Sequence, residues 1–440
     1  MPYLPRGKRR TVMKTSFSNQ KHDVLRLLMD QDNYDPWISD PDASVQCASG
    51  QISGRIAAVY SIDTDRINGA IGPEEAKEII ALSEFARAKK IPLVSINSAL
   101  SPKIDTGLRG IEACERIVRM SGRLSELLPQ IALVTENVLS THGYLSTYAD
   151  IIVANDSRQG TNATGHIVKD TIAKAVSTTR DIVRLLPQTR NHLNEGLTFS
   201  SDGGERQLTD SLCQDFSRPG PFDIKQLIDG VLDSNSFVEF DETRGQSIVT
   251  GIGSLIDQSV GICANQTLNG APINDDALRK IIEITRLCDR FSIPLINLID
   301  TTDETTQQTL VDEHGKPVIG NSAMSIRHGS ALLHARQMMS PCVSLIVRRC
   351  YGSGYLLTTA TRPHHVILAV KNAQFSRYDN EVTADTALEQ KWIKKIIKPE
   401  ALVEELVHWV RWSRAQRSRV TEQLHPNDPM RYNLNLNEVE

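Results

Sequence analysis

The sequence has no apolar run near the roughly 18 residues that a membrane-spanning helix needs, and its basic N-terminus is not followed by the apolar core of a secretory signal. A soluble, cytoplasmic protein without a membrane partner is expected. Aromatic residues make up only 5% of the chain, too few for a carbohydrate-stacking face or a single-strand nucleic-acid platform. Charge of one sign is also lacking, since 49 Lys and Arg stand against 53 Asp and Glu for a net charge of −4. No global field therefore draws the chain to nucleic acid or anionic lipid, and partners must be recognised at local sites. The seven cysteines, Cys47, Cys114, Cys213, Cys263, Cys288, Cys342 and Cys350, are scattered with no CxxC pair. That spacing excludes a zinc ribbon or a disulfide frame and reads as reduced, buried thiols. His364 and His365 are adjacent and share no helix or strand face, so no metal site is expected.

What is present is ordinary globular composition: 440 residues, 40% hydrophobic and 23% charged, enough for two or three domains. The length contains a repeat. Asn68-Gly69-Ala70-Ile71-Gly72 precedes a helical pattern to Lys90 and then Ile91-Pro92-Leu93-Val94-Ser95-Ile96-Asn97. Asn269-Gly270-Ala271-Pro272-Ile273 leads through a similar helix to Ile293-Pro294-Leu295-Ile296-Asn297-Leu298-Ile299-Asp300. Pro294 follows Pro92 by 202 positions, and Ile281-Ile282 follows Ile79-Ile80 at the same offset. Strand-like stretches precede each helix (residues 54–62 and 253–265), and buried strands follow (130–134 and 342–347). Such alternation calls for an α/β sheet with right-handed crossovers in each half.

The spacing of Val168, Ile172, Val176, Ile182, Val183 and Leu186 predicts a helix over residues 168–186. Residues 187–221 are polar and rich in Gly, Ser, Asp and Asn, which predicts a linker. A last helix, over residues 399–420, places Leu402, Leu406, Trp409 and Val410 on one face, with Arg411, Arg414, Arg417 and Arg419 on a solvated one. The expected organisation is a basic tail (1–20), a first domain (21–186), the linker (187–221), a second domain (222–424) and a polar tail (425–440).

Chemistry is sought where a buried strand passes through a tight turn, because small residues there let backbone N–H groups face a cleft. In the second half that position reads Arg348-Arg349-Cys350-Tyr351-Gly352-Ser353-Gly354-Tyr355. Gly352, Ser353 and Gly354 form a candidate oxyanion turn, although a plain tight turn reads the same way from spacing alone. The first-half counterpart is Thr135-Glu136-Asn137-Val138-Leu139-Ser140-Thr141-His142-Gly143-Tyr144. His142 is a candidate acid, base or oxygen donor. Ser140 and Ser353 are not assigned as nucleophiles, since no His-Asp partnership is visible.

These residues resemble the carboxyltransferase β subunit of biotin-dependent acyl-CoA carboxylases of the propionyl-CoA carboxylase β type. The resemblance is carried by Phe222-Asp223-Ile224, Gly251-Ile252-Gly253, the stretch from Val260 to Gln266, Cys288-Asp289-Arg290-Phe291-Ser292-Ile293-Pro294-Leu295, Ile326-Arg327-His328-Gly329 and Tyr351-Gly352-Ser353-Gly354-Tyr355. In the first half, Gly69-Ala70-Ile71-Gly72, Ile91-Pro92, Pro129-Gln130-Ile131 and the stretch from His142 to Asp150 carry it. It implies an α/β fold of two tandem crotonase-like domains, internally duplicated.

In that family two Gly-rich turns, one per domain, stabilise enolate-like oxygens on the acyl thioester and on the biotin ureido group. The resemblance thus implies catalytic positions at Gly352, Ser353, Gly354, Ser140, Thr141 and His142. It implies substrate contacts at Ser98, Ala99, Leu100, Ser101, Asp300, Arg327 and Leu356. This chain departs from the family at several of them. Ser140-Thr141 replaces a Gly-Gly pair, and Leu356 replaces an aspartate associated with acyl choice. The stretch from Ser98 to Lys103 replaces Asp-Ser-Gly-Gly-Ala-Arg, and Asp300-Thr301-Thr302-Asp303 replaces the Asp-Val-Pro-Gly-Phe loop of the second half.

The resemblance implies an acyl-CoA or acyl-carrier-protein thioester substrate and no covalently bound cofactor. Met13-Lys14 has no flanking carrier domain, so biotin, if used, arrives on a separate carrier. Implied partners are a biotin carboxylase or carrier protein, an acyl carrier protein, and further copies of the chain in a hexamer or dimer. Two functions stay open. One is carboxyl transfer, or decarboxylation and acyl transfer, in a specialised biosynthetic pathway; the other is a catalytically silent binding or assembly subunit.

Overall fold

The structure is a computed structural model that describes residues 23–31, 33–37, 44–62, 70–96, 101–125, 127–135, 148–155, 165–188, 208–218, 220–268, 274–301, 309–311, 317–319, 340–351, 365–375 and 382–423. The first half contains β1 (Tyr34–Pro36), β2 (Val45–Ile52), β3 (Arg55–Ile62), β4 (Ala70–Ile71), β5 (Leu93–Ile96), β6 (Ser101–Pro102), β7 (Gln130–Val134), β8 (Ile151–Asn155) and β9 (Ile167–Lys169). Its helices are α1 (Asp23–Leu28), α2 (Pro73–Lys89), α3 (Leu108–Leu124) and α4 (Ile172–Leu185). The second half contains β10 (Val238–Phe240), β11 (Ile248–Ser254), β12 (Ser259–Asn265), β13 (Leu295–Thr301), β14 (Thr309–Val311), β15 (Pro317–Ile319), β16 (Cys342–Cys350), β17 (His365–Val370) and β18 (Lys395–Ile397). Around them lie α5 (Asp210–Asp215), α6 (Ile224–Val231), α7 (Asp275–Phe291), α8 (Ala384–Glu389) and α9 (Leu402–Gln423).

The repeat read from the sequence is a repeat of topology. One seven-stranded sheet runs β1-β2-β3-β5-β7-β8-β9 and the other β10-β11-β12-β13-β16-β17-β18. Each opens with antiparallel pairs and continues as parallel strands. The two Ile-Pro dipeptides do the same work in both halves. Proline begins a strand without needing to donate to the ladder, and the free carbonyls accept: Ala58 N–H donates to Pro92 O at 2.9 Å and Gly261 N–H to Pro294 O at 2.8 Å. The helices before them stop alike, Lys90 (φ 57°) and Ser292 (φ 60°) both adopting the left-handed conformation that ends a helix. Asp30 in the first half accepts the hairpin-turn N–H groups of Ser53 and Gly54, as Asp233 accepts those of Ile256 and Asp257 in the second.

Strand alternation sorts the second sheet into two faces. Val249, Ile262, Ile296 and Leu345 pack with Leu227 of α6, Leu212 of α5 and Leu406 of α9. Ile248, Cys263, Leu295 and Ile346 face α7 and join the interior around α4, Ile96 and Leu133, so the two halves share a continuous core. The outer face of the first sheet packs under α2 and α3 through Tyr60, Ile79, Leu82 and Ile117. Burying each such side chain stabilises the fold by about 1.5–3 kcal/mol.

Two expected elements differ. The helix read over 168–186 starts only at Ile172, because Thr171 Oγ1 caps it by accepting the Lys174 N–H at 3.3 Å, and Val168 lies instead on β9, paired with β8. The polar stretch 187–221 includes α5, capped by Thr209 Oγ1, whose Leu212 is buried together with Leu208 and Phe216 in the second core. None of the seven cysteines forms a disulfide, and six are buried. Among the described residues, no helix is long and apolar enough to cross a membrane, and no group of His, Cys, Asp and Glu side chains could hold a metal ion.

Candidate active site

Parallel strands β12, β13 and β16 end side by side, and ligand sites of open α/β sheets form outside such carboxyl ends. Asp300, the penultimate residue of β13, is 0% exposed. Its Oδ2 accepts from Arg348 Nε at 2.8 Å, from Arg348 Nη2 at 2.5 Å and from Thr267 Oγ1 at 3.3 Å. Its Oδ1 accepts from Arg349 Nε at 3.1 Å. Arg348 is saturated further by the carbonyls of Arg218 and Gly220 and by Thr267 Oγ1, and lies 5.0 Å from the centre of the Phe222 ring. A buried carboxylate between two guanidiniums is an internal counter-ion; here it binds β13 to β16 and to the segment entering α6. Asn265, at the end of β12, accepts the Asp300 N–H at 3.3 Å through Oδ1, while its buried Nδ2 finds no partner among the described residues.

The next residues form a second set of bonds. Tyr351 N–H donates to Thr301 Oγ1 at 3.0 Å, and Thr301 Oγ1 donates to the Tyr351 carbonyl at 3.1 Å. The Tyr351 hydroxyl donates to Gln374 Oε1 at 2.7 Å. The Gln374 backbone joins the same edge, accepting the Cys350 N–H and donating to the Arg348 carbonyl, both at 2.8 Å. Burial pushes the Cys350 thiol up to about 12, so Cys350 stays protonated at neutral pH and is no nucleophile.

The first half ends differently. After β7, Thr135 offers its carbonyl to Asn155 Nδ2 at 3.3 Å, with no counterpart among the described residues to the Asp300 and arginine cluster. Ser101 begins β6 and is paired with Ala70 of β4. Just after β6, Lys103 Nζ lies 2.5 Å from Glu75 Oε1, while Glu75 Oε2 accepts the Gly72 N–H at 2.9 Å, which ties the residues after β6 to the start of α2. Burial pushes the Glu75 carboxyl up, but the Lys103 ammonium and the backbone N–H groups outweigh it and hold it below the usual carboxylate range.

Of the residues expected at the site, the structure thus describes Asp300 and Ser101. Ser98, Ala99, Leu100, Ser140, Thr141, His142, Arg327, Gly352, Ser353, Gly354 and Leu356 lie outside the described residues. Thr267 and Gln374 carry no signal in the sequence, and Thr301 enters the sequence reading only as part of the altered Asp300-Thr301-Thr302-Asp303 loop. A signal for the ion cluster existed: Arg348-Arg349 and Asp300 are charges closing apolar strands, and buried charges require partners.

The carboxyl transferase domain family model matches residues 8–166 and 159–391. The propionyl-CoA carboxylase carboxyltransferase subunit of Haloferax mediterranei is 27% identical over 356 residues, covering 72% of this chain and 65% of that protein. The propionyl-CoA carboxylase beta chain of Roseobacter denitrificans is 26% identical over 344 residues, covering 71% and 65%. This chain therefore spans about 65% of the length of those curated relatives. Among solved structures, transcarboxylase 12S, described as a hexamer assembly with methylmalonyl-coenzyme A and methylmalonic acid bound, matches with a TM-score of 0.73 at 18% identity, covering 89% of this chain and 88% of that one. A single-chain, multi-domain long-chain acyl-CoA carboxylase matches with a TM-score of 0.66 at 17% identity, covering 90% of this chain and 45% of that one. The fold is accordingly the tandem crotonase-like α/β arrangement of these carboxyltransferases. With both halves matched by the same family model, this chain belongs to the carboxyl transferase domain family.

Proposed function

We propose that the chain acts on an acyl or malonyl-type thioester through an enolate whose oxygen is held by the backbone amides of Ser353 and Gly354, next to Gly352. The reaction is carboxyl transfer, or decarboxylation with acyl transfer. The observation that carries this reading is the anchoring of Tyr351, at both backbone groups and at its hydroxyl, where β16 passes into the Gly352-Ser353-Gly354 sequence. Preorganised N–H groups aimed at a developing oxyanion are among the largest contributions a protein makes to such chemistry. Family membership and the printed names of the relatives support the substrate class.

In this reading Ser140, Thr141 and His142 border the second oxygen, and Ser98, Ala99, Leu100, Ser101, Arg327 and Leu356 border the thioester. Asp300 fixes the strand ends from below. For the carboxyl-transfer route, biotin is a substrate that arrives on a separate carrier together with a biotin carboxylase; the decarboxylation route needs none. A homo-oligomer is supported by the apolar surface at Ile104, Leu108 and Ile111, which are 96%, 83% and 57% exposed.

The test offers malonyl- and methylmalonyl-thioesters, on CoA and on acyl carrier protein, with and without a biotinylated carrier, and follows products by mass spectrometry. Turnover of at least one thioester is expected. No product and no thermal shift with any of them would overturn this reading and leave the silent binding or assembly subunit as the alternative.

A further inference from the structure

We infer that Thr301 is a positioning residue that sets the Gly352-Ser353-Gly354 amides by clamping Tyr351, with Gln374 as the second anchor. The inference rests on the proposed oxyanion role of those amides. A single hydroxyl, Thr301 Oγ1, accepts the Tyr351 N–H at 3.0 Å and donates to the Tyr351 carbonyl at 3.1 Å, so both backbone groups of the residue before Gly352 are fixed by one side chain. The Tyr351 N–H also reaches the Thr301 carbonyl at 3.4 Å, a longer and weaker contact.

Thr301 itself has little freedom to move. It ends β13, is fully buried, and follows Asp300, which the two arginines of β16 hold. β16 pairs with β13 from Leu295↔Cys342 through Ile299↔Ile346, and the register then shifts so that Thr301 lies opposite Cys350. The clamp sits just past that shift, where the ladder alone no longer dictates where the chain goes. On the outer side the Tyr351 hydroxyl bonds Gln374 Oε1 at 2.7 Å, and Gln374 is tied through its backbone to Arg348 and Cys350. The exit of β16 is therefore fixed from two directions, by Thr301 on the β13 side and by Gln374 after β17. A misplacement near 1 Å at a reacting centre can cost about 100-fold in rate, so a clamp of this kind acts on kcat more than on substrate affinity.

Thr301→Val keeps the shape and removes the hydroxyl, whereas Thr301→Ser keeps the hydroxyl. Two measurements are made on the full chain: thioester turnover, and hydrogen exchange of peptides containing the Tyr351 to Gly354 amides. We expect Thr301→Val to lower kcat by roughly 10–100-fold, with KM within about 3-fold and faster exchange in those peptides. Thr301→Ser should recover kcat to within about 3-fold of the parent. If Thr301→Val does not fold, Tyr351→Phe removes only the outer bond and should lower kcat by about 3–10-fold at unchanged KM. Normal kcat in Thr301→Val, or in Tyr351→Phe where it stands in, overturns the inference and leaves the proposed function standing; equal damage in Thr301→Ser does the same. If the parent protein turns over no thioester, the functional reading fails and the positioning role falls with it; with an active parent, unchanged exchange in Thr301→Val refutes the clamp.

Discussion

Replacing Asp300 by Asn would remove one charge and little shape, and the structure sets how much that should cost. The carboxylate takes two donors from Arg348 and one each from Arg349 and Thr267, and it is completely buried. An asparagine supplies one acceptor oxygen and presents N–H groups to a guanidinium, leaving two cations without a counter-charge. Breaking a buried pair by removing one partner costs about 3–5 kcal/mol, a large fraction of the 5–15 kcal/mol that holds a typical domain together. Urea unfolding followed by tryptophan fluorescence is a suitable assay, because Trp392, Trp409 and Trp412 all lie in the second half. Arg348→Met should cost less, since Asp300 keeps Arg349 and Thr267, and the double variant should be no less stable than Asp300→Asn alone. An Asp300→Asn protein within about 1 kcal/mol of the parent, with strictly additive effects in the double variant, would refute the counter-ion assignment. A substrate-contacting Asp300 has the opposite signature, a raised KM at unchanged stability.

Other expectations follow from single contacts. His166 Nδ1 accepts the Ile152 N–H at 3.0 Å while its carbonyl accepts the Asp241 N–H at 2.7 Å, joining the halves; burial holds its imidazole below the usual range, Asp241 opposing in part and Arg244 adding. A depressed folded value means that this contribution to stability is complete above about pH 6.5 and is lost as pH falls through the folded value. Unfolding midpoints measured from pH 8 to pH 5 should show that loss, and His166→Gln should flatten it. A methyl group on Gly261 of β12 would overlap Cys288 Sγ, so Gly261→Ala should destabilise by about 1–3 kcal/mol in calorimetry. Combining Ile104→Asp with Leu108→Glu should shift the light-scattering mass of an oligomer toward the monomer without changing the far-ultraviolet circular dichroism.

The parts legible in the sequence are those that depend on local periodicity. Ile91-Pro92 and Ile293-Pro294 announce strands because proline can open a strand and the following alternation is apolar, and the equal spacing of the two copies exposes the duplicated sheet. Val168 lies on β9 and not on the helix its spacing suggests, because a β-branched residue at a helical interval also fits a short strand, and only the Thr171 cap separates the two. The six residues of α5 are too few to show a 3.6-residue period within a polar stretch. The site was less legible for a different reason. Thr301 meets Tyr351 50 positions later and Asp300 meets Arg348 48 positions later; the adjacency comes from sheet order, which brings β13 beside β16 with two further strands lying between them in the chain. Gln374, after β17, carries no local signal of its contact with Tyr351.

Gly354→Pro tests most directly whether the Gly354 backbone N–H holds an enolate oxygen: proline removes that donor, while its ring also fixes φ and restricts Ser353, so Gly354→Ala, which keeps the N–H, serves as the control. Turnover of the best thioester substrate should be measured in parent and both variants, alongside their melting temperatures. In Gly354→Pro, kcat should fall by about 100–1,000-fold with the melting temperature retained. Unchanged turnover in a folded Gly354→Pro protein would contradict that role.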